Sequence, residues 1–375
     1  MAEQPIQPTV LIIEDEAGPR NALSVILRPF CTVLTAAHGQ AALEALAAHP
    51  VDLVTLDLKL PDRPGLDLLR DLRMIRPEVE VIVITGFGSL SSAVSAFQLG
   101  AASYLLKPFN VAELVAIMHR TVAKKRRLDM LRHYLSHSGV RLAADGQAES
   151  VWAHLLERHR QLVSPEERDV VPVGGSEVYA GLLADVLEAR SRALFAHSCR
   201  VGYYAHVVAQ QMVLSPSERR ALALGAFLHD VGVVALPTRL SPSPWAFEEW
   251  EESGNGHHEL GARIAMATQL GPEVAGVIHG HHERFNGTEP GRIIHSGVVT
   301  TLARTVGLLE TFDQLVVVHP DGAEAGFHNA LEQIRSQVGT RFDSAVVETV
   351  TRALVGYGPA CSVQAASVQT ATLPS

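Results

Sequence analysis

Histidine is the residue type whose spacing in this chain points most directly to chemistry. Eleven of the 18 histidines lie between positions 197 and 328. The sharpest pattern comprises His197 and the pairs His229-Asp230, His257-His258 and His281-His282. Imidazoles and carboxylates are good ligands for first-row divalent metals. Five or six such groups can hold two ions, and two-metal sites mostly attack phosphate esters. The pattern therefore predicts a phosphate-ester chemistry.

The metal candidates fall on or at the ends of predicted helices. From Glu177 onward the chain shows helical periodicity with short Gly/Pro punctuation and no convincing strand, which predicts an all-α domain. The predicted helices are Glu177–Arg190, His197–Met212, Pro216–His229, His258–Gln269, Pro272–His281, Ser296–Leu315, Ala323–Val338 and Ser344–Leu354. One buried histidine is more often a satisfied core residue than a ligand. Several polar groups at apolar helix ends favour ligands, because burying them without partners costs several kcal/mol.

A different pattern occupies residues 8–125, where short apolar runs alternate with helical stretches. The runs rich in branched residues predict five buried strands: Val10–Ile13, Thr32–Ala36, Leu53–Leu56, Val81–Thr85 and Ser103–Leu106. Five βα units predict a doubly wound parallel sheet covered on both faces. Ligands of such sheets bind at the carboxyl ends of the strands.

Polar side chains fall at those strand ends. Glu14 and Asp15 close the first strand, Asp57 the third and Thr85 the fourth, and Lys107 follows the fifth. Carboxylates that meet at one rim repel one another unless a cation lies among them, and oxygen-only ligands favour Mg²⁺. The alternative is that Asp and Thr simply cap the following helices. That alternative requires five independent coincidences.

Composition and charge exclude several classes of protein. The net charge of −9 argues against a general nucleic-acid-binding protein. Cys31, Cys199 and Cys361 form no metal-binding or disulfide pattern, which suits a reducing cytosol. The N-terminal residues lack the pattern of a signal peptide, and no uncharged apolar stretch reaches the length of a membrane span. We therefore expect a cytoplasmic protein without direct DNA binding or membrane insertion.

The segment between the two patterns is predicted to be a helical linker. The fifth helix runs on through Lys124, Lys125, Arg126 and Arg127 towards His137. This basic run is either a nucleic-acid patch or a solvated helix face. We favour the solvated face, because no aromatic residues interleave with the charges.

The first domain closely resembles the receiver domain of two-component response regulators. The matching motifs are IIEDE, LDLKLPDRPG, VITGFG and YLLKPF. The resemblance implies that Asp57 accepts a phosphoryl group from a sensor histidine kinase. It also implies that Glu14, Asp15, Asp57 and the Lys59 carbonyl hold Mg²⁺. Thr85, Tyr104 and Lys107 would respond to the phosphate, with a cis peptide bond before Pro108.

The second domain resembles the HD-GYP branch of the HD phosphohydrolases over about residues 177–355. The matching segments include HSCRVGYYAHVVA, LSPSERRALALGAFLHDVG, HHERFNGTEP and ARTVGLLETFDQL. The resemblance implies hydrolysis of cyclic di-GMP to the linear dinucleotide or GMP at two Fe or Mn ions. The implied metal ligands are His197, His229, Asp230, His257, His281, His282 and Glu310. His229 and Asp230 would form the catalytic core, and Arg284 would contact a substrate phosphate.

The sequence departs from the family pattern at four places. Val233 stands where a substrate-binding lysine is usual, and the GYP segment is altered to Asn286-Gly287-Thr288-Glu289-Pro290. Glu310 replaces an aspartate, which keeps an acidic ligand. Ala193 replaces the glutamate that holds a third metal in some relatives, so we expect two metals.

These observations predict a receiver domain at 8–125, a helical linker at 126–172, an HD-GYP-like domain at 173–357 and a flexible tail at 358–375. Phosphorylation at Asp57 would control a cyclic di-GMP phosphodiesterase. Two alternatives stay open: a degenerate module that binds metal or nucleotide and signals by protein contacts, and a hydrolase of another phosphate ester. The resemblance also allows a homodimer and a partner of the diguanylate cyclase type.

Overall fold

The computed structural model describes residues 7–138, 142–144, 146–163, 177–236, 256–286, 298–317 and 323–357. The chain divides into two compact units. The division falls inside a long helix, between Asp129 and Met130. The predicted tail at 358–375 and residues 139–141, 145 and 164–172 of the predicted linker lie outside the described residues.

The first unit alternates strands and helices as predicted. Its elements are β1 (Thr9–Ile13), α1 (Ala17–Leu27), β2 (Thr32–Ala36), α2 (Gly39–Ala48), β3 (Leu53–Leu56), α3 (Gly65–Ile75), β4 (Glu80–Thr85), α4 (Leu90–Gln98), β5 (Ser103–Leu106) and α5 (Val111–Ser138). All five predicted strands are confirmed. Only β1 and β4 begin one residue earlier than the apolar runs indicated, at Thr9 and Glu80.

The five strands form one parallel sheet in the order β2-β1-β3-β4-β5. Every residue of β3 and β4 is buried, which explains why both strands are mainly apolar rather than alternating. Two apolar clusters cover the two faces of the sheet. The strand order reverses between β1 and β3, and ligands of open α/β sheets bind outside such a switch point. The sheet therefore places the ends of β1 and β3 side by side.

The basic run on α5 is not the uniformly solvated face that we favoured from the sequence. Arg126 is exposed, but Lys125 is only 7% exposed. The Lys125 ammonium pairs with Asp129 one turn later and lies 3.6 Å from a carboxylate oxygen of Asp52. Asp52 also accepts a hydrogen bond from the Thr9 amide at 2.8 Å. Two carboxylates thus pair with this lysine, one on the same helix and one distant in sequence, although the sequence pattern indicated a solvated charge.

The second unit is helical, and no strand forms among its described residues. Its elements are α6 (Ala148–Gln161), α7 (Glu177–Arg190), α8 (Arg192–Ala209), α9 (Pro216–Leu228), the 3₁₀ segment Val231–Ala235, α10 (His257–Ala267), α11 (Pro272–Gly280), α12 (Val298–Val317), α13 (Ala323–Ser336) and α14 (Ser344–Tyr357). The eight predicted helices are present, although the predicted start at Ser296 lies outside the described residues.

Two local features of this unit escaped the sequence pattern. Helix α8 begins at Arg192 rather than His197, because the Ser191 hydroxyl caps it by accepting a hydrogen bond from the Leu194 amide at 3.3 Å. The 3₁₀ segment after Asp230 was not predicted, since its apolar residues are too few to show a helical period.

Helix α12 is the central element of the second unit. It packs against α8, α9, α11, α13 and α14. Its apolar face is fully buried at Val306, Leu309 and Phe312. Helix α10 packs on α11 and on the 3₁₀ segment. This arrangement brings the ends of α9 and α11 and the start of α10 towards α12.

Candidate functional site

The carboxyl edge of the sheet gathers three carboxylates in the first unit. Glu14 and Asp57 are buried, at 2% and 7% exposure, whereas Asp15 is exposed. One oxygen from each of the three lies within 4.8 Å of the others. Hard oxygen donors at this spacing suit Mg²⁺. The structure thus brings together the three acidic residues that the strand ends predicted.

Lys107 and Thr85 complete this edge. The Lys107 ammonium donates to Glu14 at 2.5 Å and to Asp57 at 2.6 Å. The Thr85 hydroxyl donates to Asp57 at 2.9 Å. Burial raises the pKa of Glu14 despite the opposing charge of Lys107. Burial alone would lower the pKa of Lys107, but Asp57 and Glu14 outweigh it and raise that pKa. The lysine is therefore a fixed positive charge beside Asp57.

Several close contacts position the loops around Asp57. The Lys59 amide donates to the Asp57 carboxylate at 3.1 Å, and the Lys59 ammonium lies 4.3 Å from the centre of the Phe87 ring. A Cβ on Gly65 would lie 2.6 Å from the Asp57 carbonyl oxygen, so only glycine fits there. The Tyr104 hydroxyl lies 2.9 Å from the Ser92 hydroxyl. The peptide bond before Pro108 is cis, as expected.

In the second unit, five elements deliver the seven predicted metal ligands to two adjoining clusters. His197 comes from α8, His229 and Asp230 follow α9, and Glu310 comes from α12; these four form one cluster. His257 begins α10, and His281 and His282 follow α11; these three form the other. Within each cluster, one ligand atom per residue lies within 4.8 Å of the rest.

Asp230 lies between the two clusters. Its Oδ2 is 3.3 Å from His229 Nε2 and 3.8 Å from His197 Nε2. Its Oδ1 is 3.4 Å from His257 Nε2, in the other cluster. His281 Nε2 is 3.9 Å from Glu310, which also connects the clusters. A carboxylate whose two oxygens face different groups of imidazoles has the geometry to bridge two ions.

Hydrogen bonds on the far side of the rings fix their orientation. His229 Nδ1 lies 2.8 Å from the Ala226 carbonyl, and His281 Nδ1 lies 2.6 Å from the Ile278 carbonyl. A carbonyl only accepts, so each Nδ1 carries a proton and each Nε2 faces the clusters. Metal-ligating histidines almost always donate their other ring N–H in this way.

His197 is oriented by a residue that the sequence analysis missed. Its Nδ1 lies 2.7 Å from Asp313, which also receives two hydrogen bonds from Arg200 at 2.7 and 2.8 Å. Asp313 is 1% exposed, and although burial opposes it, His197 and Arg200 lower its pKa. The available signal was its position one helical turn after Glu310.

The electrostatics of the seven residues suit a divalent cation. Among the described residues, His281 Nε2 is buried without a hydrogen-bond partner. Burial and then the neighbouring imidazoles hold the pKa of His281 well below its usual value, so the ring is neutral. Burial alone would lower the pKa of His229, but Asp230 outweighs it and raises that pKa to about 9. A bound cation would satisfy His281 and would take the place of the His229 proton.

Two glycines allow the backbone segments to meet at this site. A Cβ on Gly232 would overlap the carbonyl oxygen of His257, and a Cβ on Gly307 would overlap that of His281. The 3₁₀ segment therefore lies directly on α10, and α12 lies directly on α11. These two contacts fix the positions of the His257 and His281 backbones.

The positions predicted to face the substrate match the family pattern less fully than the predicted metal ligands do. Arg284 is exposed just after the last histidine pair. Val233 is 2% exposed, so this position presents no cation to a substrate. Ala193 carries no ligand atom. Of the altered GYP segment, only Asn286 is described, and residues 287–290 lie outside the described residues.

The fold and the two sites define a class of protein: a doubly wound domain with an acidic edge, followed on the same chain by a helical domain with histidine-rich clusters that could hold metal ions. Two family models match the chain accordingly. The response regulator receiver domain matches residues 10–119, and the HD domain matches residues 181–346. The chain thus combines a response regulator receiver domain with an HD domain.

Curated relatives share both parts. A probable cyclic di-GMP phosphodiesterase of Vibrio cholerae serotype O1 is 26% identical, over 91% of this chain and 77% of the relative. A cyclic di-GMP phosphodiesterase of Thermotoga maritima is 27% identical, over 91% and 89%. The cyclic di-GMP phosphodiesterase response regulator RpfG of Xanthomonas campestris pv. campestris is 25% identical, over 92% and 87%. No described helix is long and apolar enough to cross a membrane.

Proposed function

We propose that this chain is a response regulator in which phosphorylation of Asp57 controls a metal-dependent phosphodiesterase that hydrolyses cyclic di-GMP. The position of Asp230 between two clusters of buried ligands carries the proposal, because its two oxygens face imidazoles of both clusters. The names of three relatives that align along most of the chain support the choice of substrate.

In the receiver domain we assign Asp57 as the phosphoacceptor for a sensor histidine kinase. Glu14, Asp15 and Asp57, with the Lys59 carbonyl, would hold Mg²⁺. Lys107 lies 2.6 Å from an Asp57 oxygen and would pair with the phosphoryl group added there. Thr85 and Tyr104 would carry the change onward, since the Thr85 hydroxyl bonds Asp57 and the Tyr104 hydroxyl lies beside Ser92 on α4.

In the HD domain we assign two ions, Fe or Mn, to His197, His229, Asp230, His257, His281, His282 and Glu310. The mixed imidazole and carboxylate donors suit first-row transition metals. When bound, the ions would supply Lewis-acid stabilisation and an activated water. Asp230 would lie between the two ion positions and contact both. His229 and His281 would each bind an ion through Nε2. Arg284 would bind a substrate phosphate.

The decisive test is turnover of cyclic di-GMP by anaerobically purified protein loaded with Mn²⁺ or Fe²⁺. The control is a double variant, His229→Ala with Asp230→Ala. We expect product from the wild type and none from the control. If metal-loaded wild type leaves the dinucleotide intact while Asp57 still phosphorylates, the enzymatic part of the proposal is wrong.

The regulatory part has its own test. With a small phosphodonor, Asp57→Asn should lose phosphorylation, whereas Asp67→Asn, which changes an exposed carboxylate on α3, should keep it. The rate of cyclic di-GMP turnover should change on addition of the phosphodonor in the wild type and in Asp67→Asn, but not in Asp57→Asn. An equal response in Asp57→Asn would contradict control through this residue.

A second candidate function is a non-enzymatic switch that binds metal or nucleotide and signals by protein contacts. The observation that favours it is Val233, which is buried where a substrate-binding lysine would lie. Losing one charge-assisted phosphate contact costs about 1.5–3 kcal/mol, which weakens binding without abolishing chemistry. Binding of cyclic di-GMP without turnover would favour this candidate. Turnover of a different nucleotide in a panel would favour another phosphate ester.

The remaining assignments concern partners and location. Alongside the kinase and the dinucleotide, the family resemblance supports a second copy of the chain and a diguanylate cyclase-type protein as partners, and a cytoplasmic location. Sedimentation with and without phosphodonor tests the homodimer. An unchanged monomer in both states would contradict it.

A further inference from the structure

A third group of metal-binding side chains lies outside the seven ligands assigned above. It consists of His258, Glu259 and His279. One ligand atom of each lies within 4.8 Å of the other two. The His258 and His279 rings are 5.5 Å apart between centroids and nearly perpendicular, at 72°. We call this group the rim cluster.

The rim cluster converges because two helices approach closely. His258 and Glu259 are in the first turn of α10, and His279 is in the last turn of α11. One turn further along α10, a Cβ on Gly261 would lie only 2.8 Å from the Ile278 side chain. The missing side chain at Gly261 therefore lets α10 lie against the end of α11, which carries His279.

The rim cluster differs from the buried centre in exposure. His258 is half-buried, and Glu259 and His279 are exposed. The His258 ring lies 5.8 Å from that of His257 and 6.0 Å from that of His282, so the cluster adjoins the centre without sharing its ligands. A cation placed here would be reached directly from solvent.

Two imidazole nitrogens and one carboxylate oxygen form a known type of open metal site. Three protein ligands of this kind hold a borderline ion and leave a position for water or another ligand. Imidazole donors select Zn²⁺, Ni²⁺ or Cu²⁺ over Mg²⁺ or Ca²⁺.

We propose that His258, Glu259 and His279 form a separate, exchangeable site for a third divalent transition-metal ion, of the Zn²⁺ class. This site is additional to the proposed two-metal centre and does not depend on the activity of that centre. Its occupancy would follow the free ion concentration, because the rim cluster is open to solvent.

The test counts ions per full-length chain. Protein loaded with Mn²⁺ is freed of loose ions, dialysed against Zn²⁺, and its total Mn and Zn are measured by mass spectrometry. Counting both metals removes the effect of Zn²⁺ replacing Mn²⁺ in the centre. The variants are His279→Ala and Glu259→Gln, and the control is His328→Ala, which removes another exposed histidine.

We expect the wild type and His328→Ala to bind one ion more than His279→Ala. Glu259→Gln should lower the affinity for that ion, because it keeps the shape and removes the charge. An equal count in wild type and His279→Ala would overturn the proposal. So would a His279→Ala protein that fails to retain Mn²⁺ before dialysis, since the residue would then belong to the buried centre.

Discussion

At the scale of single residues, the HD centre depends on which ring nitrogen each histidine turns inward. His229 and His281 donate Nδ1 to carbonyls of their own preceding helices, so their orientation follows from local backbone. His197 has no such carbonyl and relies on Asp313, a residue on another helix. The same carboxylate is held by Arg200. The orientation of His197 is therefore sensitive to substitution at a position distant in sequence.

Replacing Asp313 by asparagine tests this dependence. Asp313→Asn keeps the shape and removes the charge that orients His197. Outer partners of metal-bound histidines typically contribute about 10–100-fold in metal affinity, and we expect a loss in that range. Competition with a coloured chelator measures it, and Glu332→Gln, which alters an exposed carboxylate, is the control. Unchanged affinity in Asp313→Asn would show that His197 is oriented by other means.

A second prediction at this scale concerns Cys31. Its thiol is 3% exposed and donates to the Leu27 carbonyl, and burial raises its pKa to about 11. A raised pKa keeps the thiol protonated, so at pH 9 only about one molecule in a hundred carries the thiolate. Alkylation of Cys31 at pH 9, followed by peptide mapping, should be at least about tenfold slower in native than in urea-unfolded protein. Equal rates would contradict the burial.

At the scale of elements, close backbone approaches position the ligands. The 3₁₀ segment rests on α10 at Gly232, and α12 rests on α11 at Gly307. Both contacts involve the carbonyl of a predicted ligand residue, His257 or His281. A side chain at either glycine would push a ligand away from the centre. These glycines thus act on the site through packing alone.

Gly232→Ala should therefore destabilise the HD domain and weaken metal binding together. The added methyl group overlaps the His257 carbonyl, and overpacking of this kind costs about 1–3 kcal/mol. Gly202→Ala is the matched control, because a Cβ there meets the Phe227 side chain at an ordinary 3.5 Å. Urea unfolding and metal content measure the two effects. A Gly232→Ala protein as stable and as metal-rich as Gly202→Ala would contradict the packing argument.

At the scale of the whole molecule, the chain joins two units whose candidate ion sites offer different donor atoms. The receiver edge offers oxygen donors only, and the HD centre offers mainly imidazoles. Mg²⁺ suits the first and Mn²⁺ or Fe²⁺ the second. Ions that bind only the folded state stabilise it, so each unit should respond to its own metal.

Calorimetry of metal-free protein in excess Mg²⁺, with and without Mn²⁺, tests this separation. An ion at 100 times its dissociation constant adds about 2.7 kcal/mol. We expect Mn²⁺ to raise the unfolding temperature of the HD unit while the receiver transition stays in place. The His229→Ala, Asp230→Ala double variant should show no such rise. The same rise in that variant would mean that Mn²⁺ acts elsewhere.

Much of the fold could be predicted from the sequence, because the spacing of apolar residues and the positions of Gly and Pro report directly on local structure. Strands β2, β3 and β5 were predicted to the residue, since each is a short run rich in branched or aromatic residues. The start of helix α8 was predicted five residues too late, because its first turn depends on the Ser191 cap. Lys125 was misjudged, because its burial depends on Asp52, which is distant in sequence.

The sequence by itself determined the two domain types and indicated the residues at the sheet edge and the candidate metal ligands. It could do so because strand ends and helix ends are local features and carry the polar residues. Only the tertiary structure decided how those groups pair. It grouped seven ligands into two clusters around Asp230, showed that Asp313 orients His197, and separated His258 and His279 from His257 and His282. These outcomes depend on how the helices cross and on where glycine allows two backbones to touch. Such long-range contacts produce no repeating pattern of apolar residues in the sequence.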